Sequence, residues 1–315
     1  MESKRAIYLS KFYLKDCSYF KEESYFGLIN DNKLIQWTVI AGNNNTGKTN
    51  VLTAIDDLND LVPKIEADIF YAEYNDTINP FIEKQKNDWK CSSSNNNRIL
   101  KNIMIYNCNV TRKSLFGVFE VEEWLLQLDY ASKNNKKKAT ENLDKIKELI
   151  QSGIFPEIKD FKFESSESFE NYILFQINNE WHKSNKLGHG YQTMLSWIIN
   201  FCKKMFEKYP DSPNPLSEPA ILLIDELELH LHPSWQKKIA GYLTKLFPAT
   251  QFIITTNSPF IIQSINELNL FILSKDDEYT KVHKASQTTF RDSTIEEILE
   301  VIMVENEQNH TSKPL

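Results

Sequence analysis

Apolar positions along the chain follow two rhythms. Continuous apolar runs occur at Trp37–Ala41, Ala220–Ile224 and Gln251–Thr255. Runs of this length predict strands buried on both faces of a parallel sheet. Further strands are predicted over Ala6–Tyr13, Ile103–Tyr106 and Phe271–Leu273, with a pair at Phe161–Phe163 and Tyr172–Ile177. The second rhythm returns every three or four residues and marks amphipathic helices. It predicts a helix over Thr49–Leu61, with Val51, Leu52, Ile55 and Leu58 apolar, and others over Tyr191–Tyr209, Pro233–Phe247 and Thr294–Val304. Residues 118–151 read as two helices joined at SKNNKKK, residues 85–102 as a polar loop, and Pro210–Pro219 as a proline-rich break. The order of elements predicts one α/β domain interrupted by a helical insertion.

Composition narrows this picture. The chain has 315 residues, 41% hydrophobic and 12% aromatic, enough to bury a sizeable core and unlike a disordered chain. A net charge of −7 argues against a globally basic nucleic-acid coat. Cys17, Cys91, Cys108 and Cys202 lie far apart without a CxxC pair, which points away from a disulfide framework and towards a reducing, cytoplasmic setting. The charged start at Glu2, Lys4 and Arg5 is unlike a signal peptide, and no apolar run reaches the length of a membrane span.

The strongest chemical signal is Gly42-Asn43-Asn44-Asn45-Thr46-Gly47-Lys48-Thr49, followed by Asn50. It fits G-x-x-x-x-G-K-[ST] between a predicted strand and a predicted helix. In such a loop, backbone N–H groups and the helix N-terminus cradle phosphate. Lys48 is expected to reach the β- and γ-phosphates, and the Thr49 hydroxyl to hold Mg²⁺. The second signal is Ile221–Ile224 ending in Asp225 and Glu226. An apolar strand ending in two acids places Asp225 at the Mg²⁺ and Glu226 as the base for the attacking water. The pair His230 and His232 invites a metal reading, but no third ligand has suitable spacing. The plainer expectation is a loop leading into a helix with Pro233 in its first turn. Lys133 and Lys136–Lys138 leave a solvated helix end and a DNA-backbone contact as alternatives. Trp124 and Trp235 are expected to be packing residues.

GNNNTGKTN, LGHGYQ, ILLIDELELHLHPSWQ and QFIITTNSP occur in this order. Together they resemble the ABC-type ATPases related to SMC, RecF, the OLD nucleases and the Septu (PtuA-like) defence ATPase. The resemblance covers the first ~55 residues and roughly 180–265, the stretches that carry the motifs. It implies an ABC-type P-loop ATPase head with a mixed sheet and a helical insertion. Residues 1–106 and 158–290 would form the head, 107–157 the insertion and 291–315 a short helix and tail. ATP and Mg²⁺ are the implied ligands. Leu187–Gln192 corresponds to the signature, so Gly188, His189 and Gly190 would contact the nucleotide of a second copy in an ATP-sandwiched homodimer or larger oligomer. Asn257 stands where the family carries a switch histidine, Gly188 replaces the signature serine, and Asn45 replaces a frequent loop glycine. The first two substitutions predict slow hydrolysis. A short insertion, with the chain ending at Leu315 soon after TTNSP, implies no nuclease activity of its own. The favoured reading is a regulatory ATPase controlling a separately encoded effector, an HNH nuclease in antiviral defence. The alternatives are a RecF-like repair ATPase that clamps nucleic acid directly and a catalytically silent ATP-binding scaffold.

Overall fold

The computed structural model describes residues 8–307 apart from 10, 16–18, 23, 31–32, 62–81, 86–87, 92–103, 109 and 277–278. Its strands are β1 (Lys11–Lys15), β2 (Ser24–Gly27), β3 (Ile29–Asn30), β4 (Lys33–Leu34), β5 (Trp37–Gly42), β6 (Ile82–Gln85), β7 (Asp88–Cys91) and β8 (Ile105–Cys108). They continue with β9 (Ile158–Ser165), β10 (Asn171–Ile177), β11 (Glu180–Lys183), β12 (Ala220–Ile224), β13 (Thr250–Thr255), β14 (Leu268–Asp276) and β15 (Tyr279–Lys284). The helices are α1 (Lys48–Leu61), α2 (Val110–Lys133), α3 (Lys137–Leu149), α4 (His189–Lys208), α5 (Pro233–Leu246), α6 (Pro259–Ser264) and α7 (Ile295–Glu307).

A six-stranded sheet in the order β15-β14-β5-β13-β12-β8 organises the molecule. Its strands are parallel except β15, which runs antiparallel to β14 at one edge. The apolar runs predicted as two-faced strands are β5, β12 and β13, and they lie side by side in its middle. Successive side chains of a strand point to opposite faces, and the core divides accordingly. Trp37, Val39, Leu222, Ile224, Phe252 and Ile254 face one layer, built largely from α2, α4 and α5. Ile40, Ile221, Leu223 and Ile253 face the other, where Val51, Leu52 and Ile55 of α1 meet Phe12, Leu14 and Phe26. α1 therefore lies on the opposite side of the sheet from α4, the helix that begins at the signature.

The segment expected to hold the helical insertion contains α2 and α3. Val121, Leu125, Leu143 and Ile146 on these helices share one core with Ile198 and Cys202 of α4. β9, β10 and β11 form an antiparallel meander, and β1, β2, β6 and β7 a second small sheet.

Several expectations needed adjusting. The strand placed at Ile103–Tyr106 runs over Ile105–Cys108, at the sheet edge, where Asn107 donates to the Asp56 carboxylate at 2.8 Å. The predicted strand Phe271–Leu273 extends over nine residues, because Asn269 is accommodated by donating to the Leu28 carbonyl at 2.9 Å. The strand placed at Ala6–Tyr13 is found at Lys11–Lys15, and residues 6–7 lie outside the described residues. The loop placed at 85–102 begins with the β6–β7 hairpin, while 92–102 lie outside the described residues. Among the described residues, no helix is long and apolar enough to cross a membrane.

Candidate nucleotide site

β5, β13 and β12 are adjacent and parallel, so the turns at their C-terminal ends open on one edge of the sheet. That edge is where open α/β sheets form ligand crevices. The P-loop leaves β5, Asp225 and Glu226 leave β12, and Asn257 follows β13.

The loop's shape is set by its backbone. Gly42 has φ +140°, and a Cβ there would lie 2.2 Å from the Leu273 carbonyl oxygen, so only glycine fits. Asn45 takes φ 64°, the left-handed conformation that asparagine tolerates well, and so fills the place of the absent glycine. Gly47 has φ +90° and lies against the Tyr19 ring, which a Cβ would approach to 3.0 Å. Thr46 donates to the Asn43 carbonyl at 2.8 Å, and Thr280 of β15 donates to the Thr46 carbonyl at 2.9 Å, holding the tip from outside. Asn43, Asn44 and Asn45 are exposed, as are Thr49 and Asn50 in the first turn of α1.

Lys48 is buried and donates to the carbonyls of Gly42 at 2.6 Å and Asn43 at 2.9 Å. Burial lowers its pKa, and Glu228, Glu226 and Asp225 oppose that shift. The Thr49 hydroxyl donates to Asp225 Oδ2 at 2.8 Å, and the Thr255 hydroxyl donates to Asp225 Oδ1 at 2.6 Å. Thr255 in turn accepts the Glu226 N–H at 2.7 Å. This gathers a carboxylate and hydroxyl oxygens at the phosphate end of the loop, the hard donor set that suits Mg²⁺. Glu226 sits at φ 51°, a conformation that costs a β-branched or bulky residue about 1–2 kcal/mol. Its carboxyl pKa is raised by burial, then by Asp225 and Glu228, with Lys48 acting in the opposite direction. A raised carboxyl is better matched to proton abstraction near neutral pH.

Two contacts join this cluster to Asn257. Its backbone N–H donates to Glu228 Oε1 at 2.8 Å. The amide orientation that satisfies both ends of the side chain donates to the carbonyls of Gly42 at 2.6 Å and Thr256 at 3.3 Å. Glu228 and Thr255 were missed in the sequence. Glu228 lies two residues past the expected base, and its Oε2 is buried with no hydrogen-bond partner among the described residues. A third acid after an apolar run was the available signal. Thr255 is one of many threonines, and only the pairing of β12 with β13 gives it meaning.

The signature residues meet the molecule elsewhere. Gly188 caps α4 through its backbone and offers no side chain. A Cβ on Gly190 would lie 2.3 Å from the His230 carbonyl oxygen. The His189 and His230 rings meet nearly edge-on, with centroids 4.3 Å apart. His230 has φ 64° and a pKa lowered by burial and then by His189. His230 belongs to the run of tight turns that starts at Glu226, closed by Leu229 N–H to the Glu226 carbonyl and Leu231 N–H to the Glu228 carbonyl. One short loop thus carries Glu226 at its start and contacts His189 and Gly190 near its end. His232 caps α5, its Nδ1 accepting the Ser234 N–H at 3.2 Å ahead of Pro233.

The lysines at the α2–α3 turn are largely neutralised. Lys133 pairs with Asp129 at 2.7 Å, Lys137 with Glu141 at 3.5 Å and Lys138 with Asp211 at 2.8 Å. Trp235 packs near Tyr191 and Trp124 near Phe206.

Comparison with known proteins gives the same direction. Residues 109–262 match a family model described as an AAA ATPase domain, a range that takes in Gly188–Gly190, Asp225, Glu226 and Asn257. The chain is 35% identical over 139 residues to a retron Ec83 probable ATPase of Escherichia coli, covering 44% of this chain and 26% of that protein. It is 31% identical over 147 residues to the Septu protein PtuA of Bacillus thuringiensis, covering 45% of this chain and 37% of that one. These matches span well under half the length of either relative. Among solved structures, an SMC head bound to the C-winged helix domain of ScpA matches with a TM-score of 0.56 at 15% identity, over 89% of this chain and 98% of that one. The structural likeness speaks for the fold alone. The chain thus has an α/β fold like that of the SMC head, and in sequence it is similar to the retron Ec83 probable ATPase and the Septu protein PtuA.

Proposed function

We propose that this chain binds ATP with Mg²⁺ at the P-loop, pairs with a second copy across two nucleotides, and turns ATP over slowly while controlling a separate effector. The observation that carries the reading is the contact of Thr49 with Asp225 at the mouth of the P-loop. Two residues 176 apart in the chain meet there, which supports reading the loop and the acid as one phosphate-and-metal site.

Lys48 exchanges the Gly42 and Asn43 carbonyls for phosphate oxygens. Mg²⁺ held by Thr49 and Asp225 supplies neutralisation of phosphate charge. Glu226 takes the proton of the attacking water, and Glu228 keeps the Asn257 turn in place through its hydrogen bond to the backbone. Asn43, Asn44 and Asn45 line the loop, and Asn50 continues its first helical turn. Gly188, His189 and Gly190 of one copy meet the nucleotide of the other. Slow turnover follows from two features: Gly188 brings no hydroxyl, and Asn257 brings an amide where an imidazolium would stabilise charge. The reading retains the division into a head of 1–106 and 158–290, an insertion of 107–157 and a tail of 291–315.

The effector is read as a separately encoded nuclease in antiviral defence, in a cytoplasmic setting. Support comes from likeness to retron and Septu ATPases. The ion pairs of Lys133, Lys137 and Lys138 weigh against direct clamping of nucleic acid by the α2–α3 turn.

The test is the mass of Glu226→Gln with ATP and Mg²⁺, measured alone and after co-expression with the products of neighbouring genes. A nucleotide-dependent dimer that retains a nuclease supports the reading. A monomer at saturating ATP overturns the sandwich, and a dimer that retains no other protein overturns the effector role.

A further inference from the structure

On the edge of the molecule formed by α5 and α6 lies a hollow of about 630 Å³. Lys237, Lys238 and Lys245 of α5 line it, and Arg291 closes it from the chain that leads into α7. A second hollow, of about 320 Å³, shares Gly241, Lys245, Ser264 and Asn266 with it and extends it towards Trp37. The two form one trough along α5.

Three features set this trough apart. The first is its charge. The chain as a whole carries −7, yet four cations converge here. None of the four has an acidic partner among the described residues. Lys237 lies over the Phe260 ring at 4.9 Å, and Arg291 donates to Asn266 at 3.1 Å. The acid at the far end, Glu267, is engaged by Lys33 at 2.6 Å. The second is Gly241, exposed in the interior of α5. Among the described residues, a Cβ there would meet nothing within 4 Å. Packing does not demand glycine, and in a helix interior glycine is weaker than alanine. What glycine does provide is bare backbone at the floor, where another chain can approach closely. The third is spacing. Lys237, Gly241 and Lys245 fall at i, i+4 and i+8, one stripe along the helix.

We infer that this trough docks an acidic stretch of a partner polypeptide, its backbone lying over Gly241 and its carboxylates meeting Lys237, Lys238, Lys245 and Arg291. A single-stranded nucleic acid fits less well. Base stacking needs an open aromatic face, and of the two rings that line the hollow one face of Phe260 is covered by Lys237 while Tyr242 is partly buried against the core. The net negative charge of the chain also disfavours a long polyanion more than a short acidic segment. This deepens the effector reading and rests on it only for which partner is bound.

The test is fluorescence anisotropy at low salt on the full chain, using a short labelled Asp/Glu peptide and, separately, a labelled oligo-thymidine strand of equal charge. Peptide binding should saturate and weaken ~10-fold or more in Lys237→Glu/Lys245→Glu, with no change in Lys136→Glu/Lys137→Glu at the α2–α3 turn. Gly241→Leu should weaken peptide binding while leaving the unfolding midpoint unchanged or raised by ~1–2 °C. The inference is overturned if the peptide does not bind, if the double reversal binds it as well as wild type, or if the thymidine strand binds these lysines more tightly than the peptide. Because no nuclease is present, failure here leaves the effector reading to stand or fall on co-purification.

Discussion

Around the P-loop, side chains hold one another by hydrogen bonds: Thr49 and Thr255 on Asp225, Lys48 on the Gly42 and Asn43 carbonyls, Glu228 on the Asn257 backbone. At the start of α4 the support is contact. Gly190 sits on the His230 carbonyl, His189 meets the His230 ring, and Gly188 contributes backbone alone. The first region is therefore sensitive to charge and hydrogen-bonding capacity even when shape is kept. The second is sensitive to volume. In the proposed reading, the charged web grips a ligand within one chain and the glycine-lined helix start meets a ligand brought by another.

The sharpest way to break the first region is Glu226→Gln, which keeps shape and removes the carboxylate proposed as the base. Turnover should fall by ~10²–10⁴ while ATP affinity persists, as steady-state hydrolysis and a nucleotide titration would reveal. Hydrolysis at the wild-type rate would remove Glu226 from the role. Next, Lys48→Ala removes a buried charge that in the proposed reading serves two phosphates. Hydrogen bonds to charged groups are worth about 1.5–3 kcal/mol each, so ATP should bind ~10²-fold more weakly in calorimetry, and unchanged affinity would contradict the assignment.

The second region should answer to volume instead. Gly190→Ala places a methyl group against the His230 carbonyl. Overpacking of this kind costs ~1–3 kcal/mol, visible as a lower thermal midpoint, with ATP affinity of the single chain preserved. Loss of affinity without loss of stability would show that the two regions are not separable. Asn257→His with Gly188→Ser restores an imidazole and a hydroxyl, one in each region. The steady-state rate should rise several-fold, up to the ~10²-fold that one well-placed donor contributes. No gain would show that the amide of Asn257 already suffices.

The smallest effect is in pH dependence. A base must be ionised, so activity is lost as pH falls through its pKa. The Glu226 carboxyl is raised by burial, then by Asp225 and Glu228, so the acidic limb should lie above the ordinary carboxylate range near ~4.3. Glu228→Gln removes one neighbouring negative charge and should move that limb down. A limb that moves up would mean that Glu228 acts by another route.

Local chemistry alone determined much of this protein. The apolar runs at Trp37–Ala41 and Ala220–Ile224 became central strands because nothing else buries both faces of so short a segment. The P-loop was legible for a similar reason: glycines at 42 and 47, Asn45 tolerating a left-handed turn, and Lys48-Thr49 opening a helix are all requirements of neighbouring residues on one another. Polar elements were harder to read. β15 and β11 are edge strands in which Thr280 alone is buried, and such strands carry little hydrophobic pattern.

Tertiary structure decided which distant groups meet. Asp225 receives Thr49 from 176 residues away and Thr255 from 30 residues away, because β5, β13 and β12 are neighbours in the sheet. Glu228 became part of the site only when the turn after β13 presented Asn257 N–H to it. Glycine at 190 is required by the His230 carbonyl, and glycine at 241 is required by no atom of the described residues. Residue type and spacing constrain a few neighbouring bonds, whereas strand order sets which ends of the sheet share an edge, and only that shared edge makes these separate motifs one site.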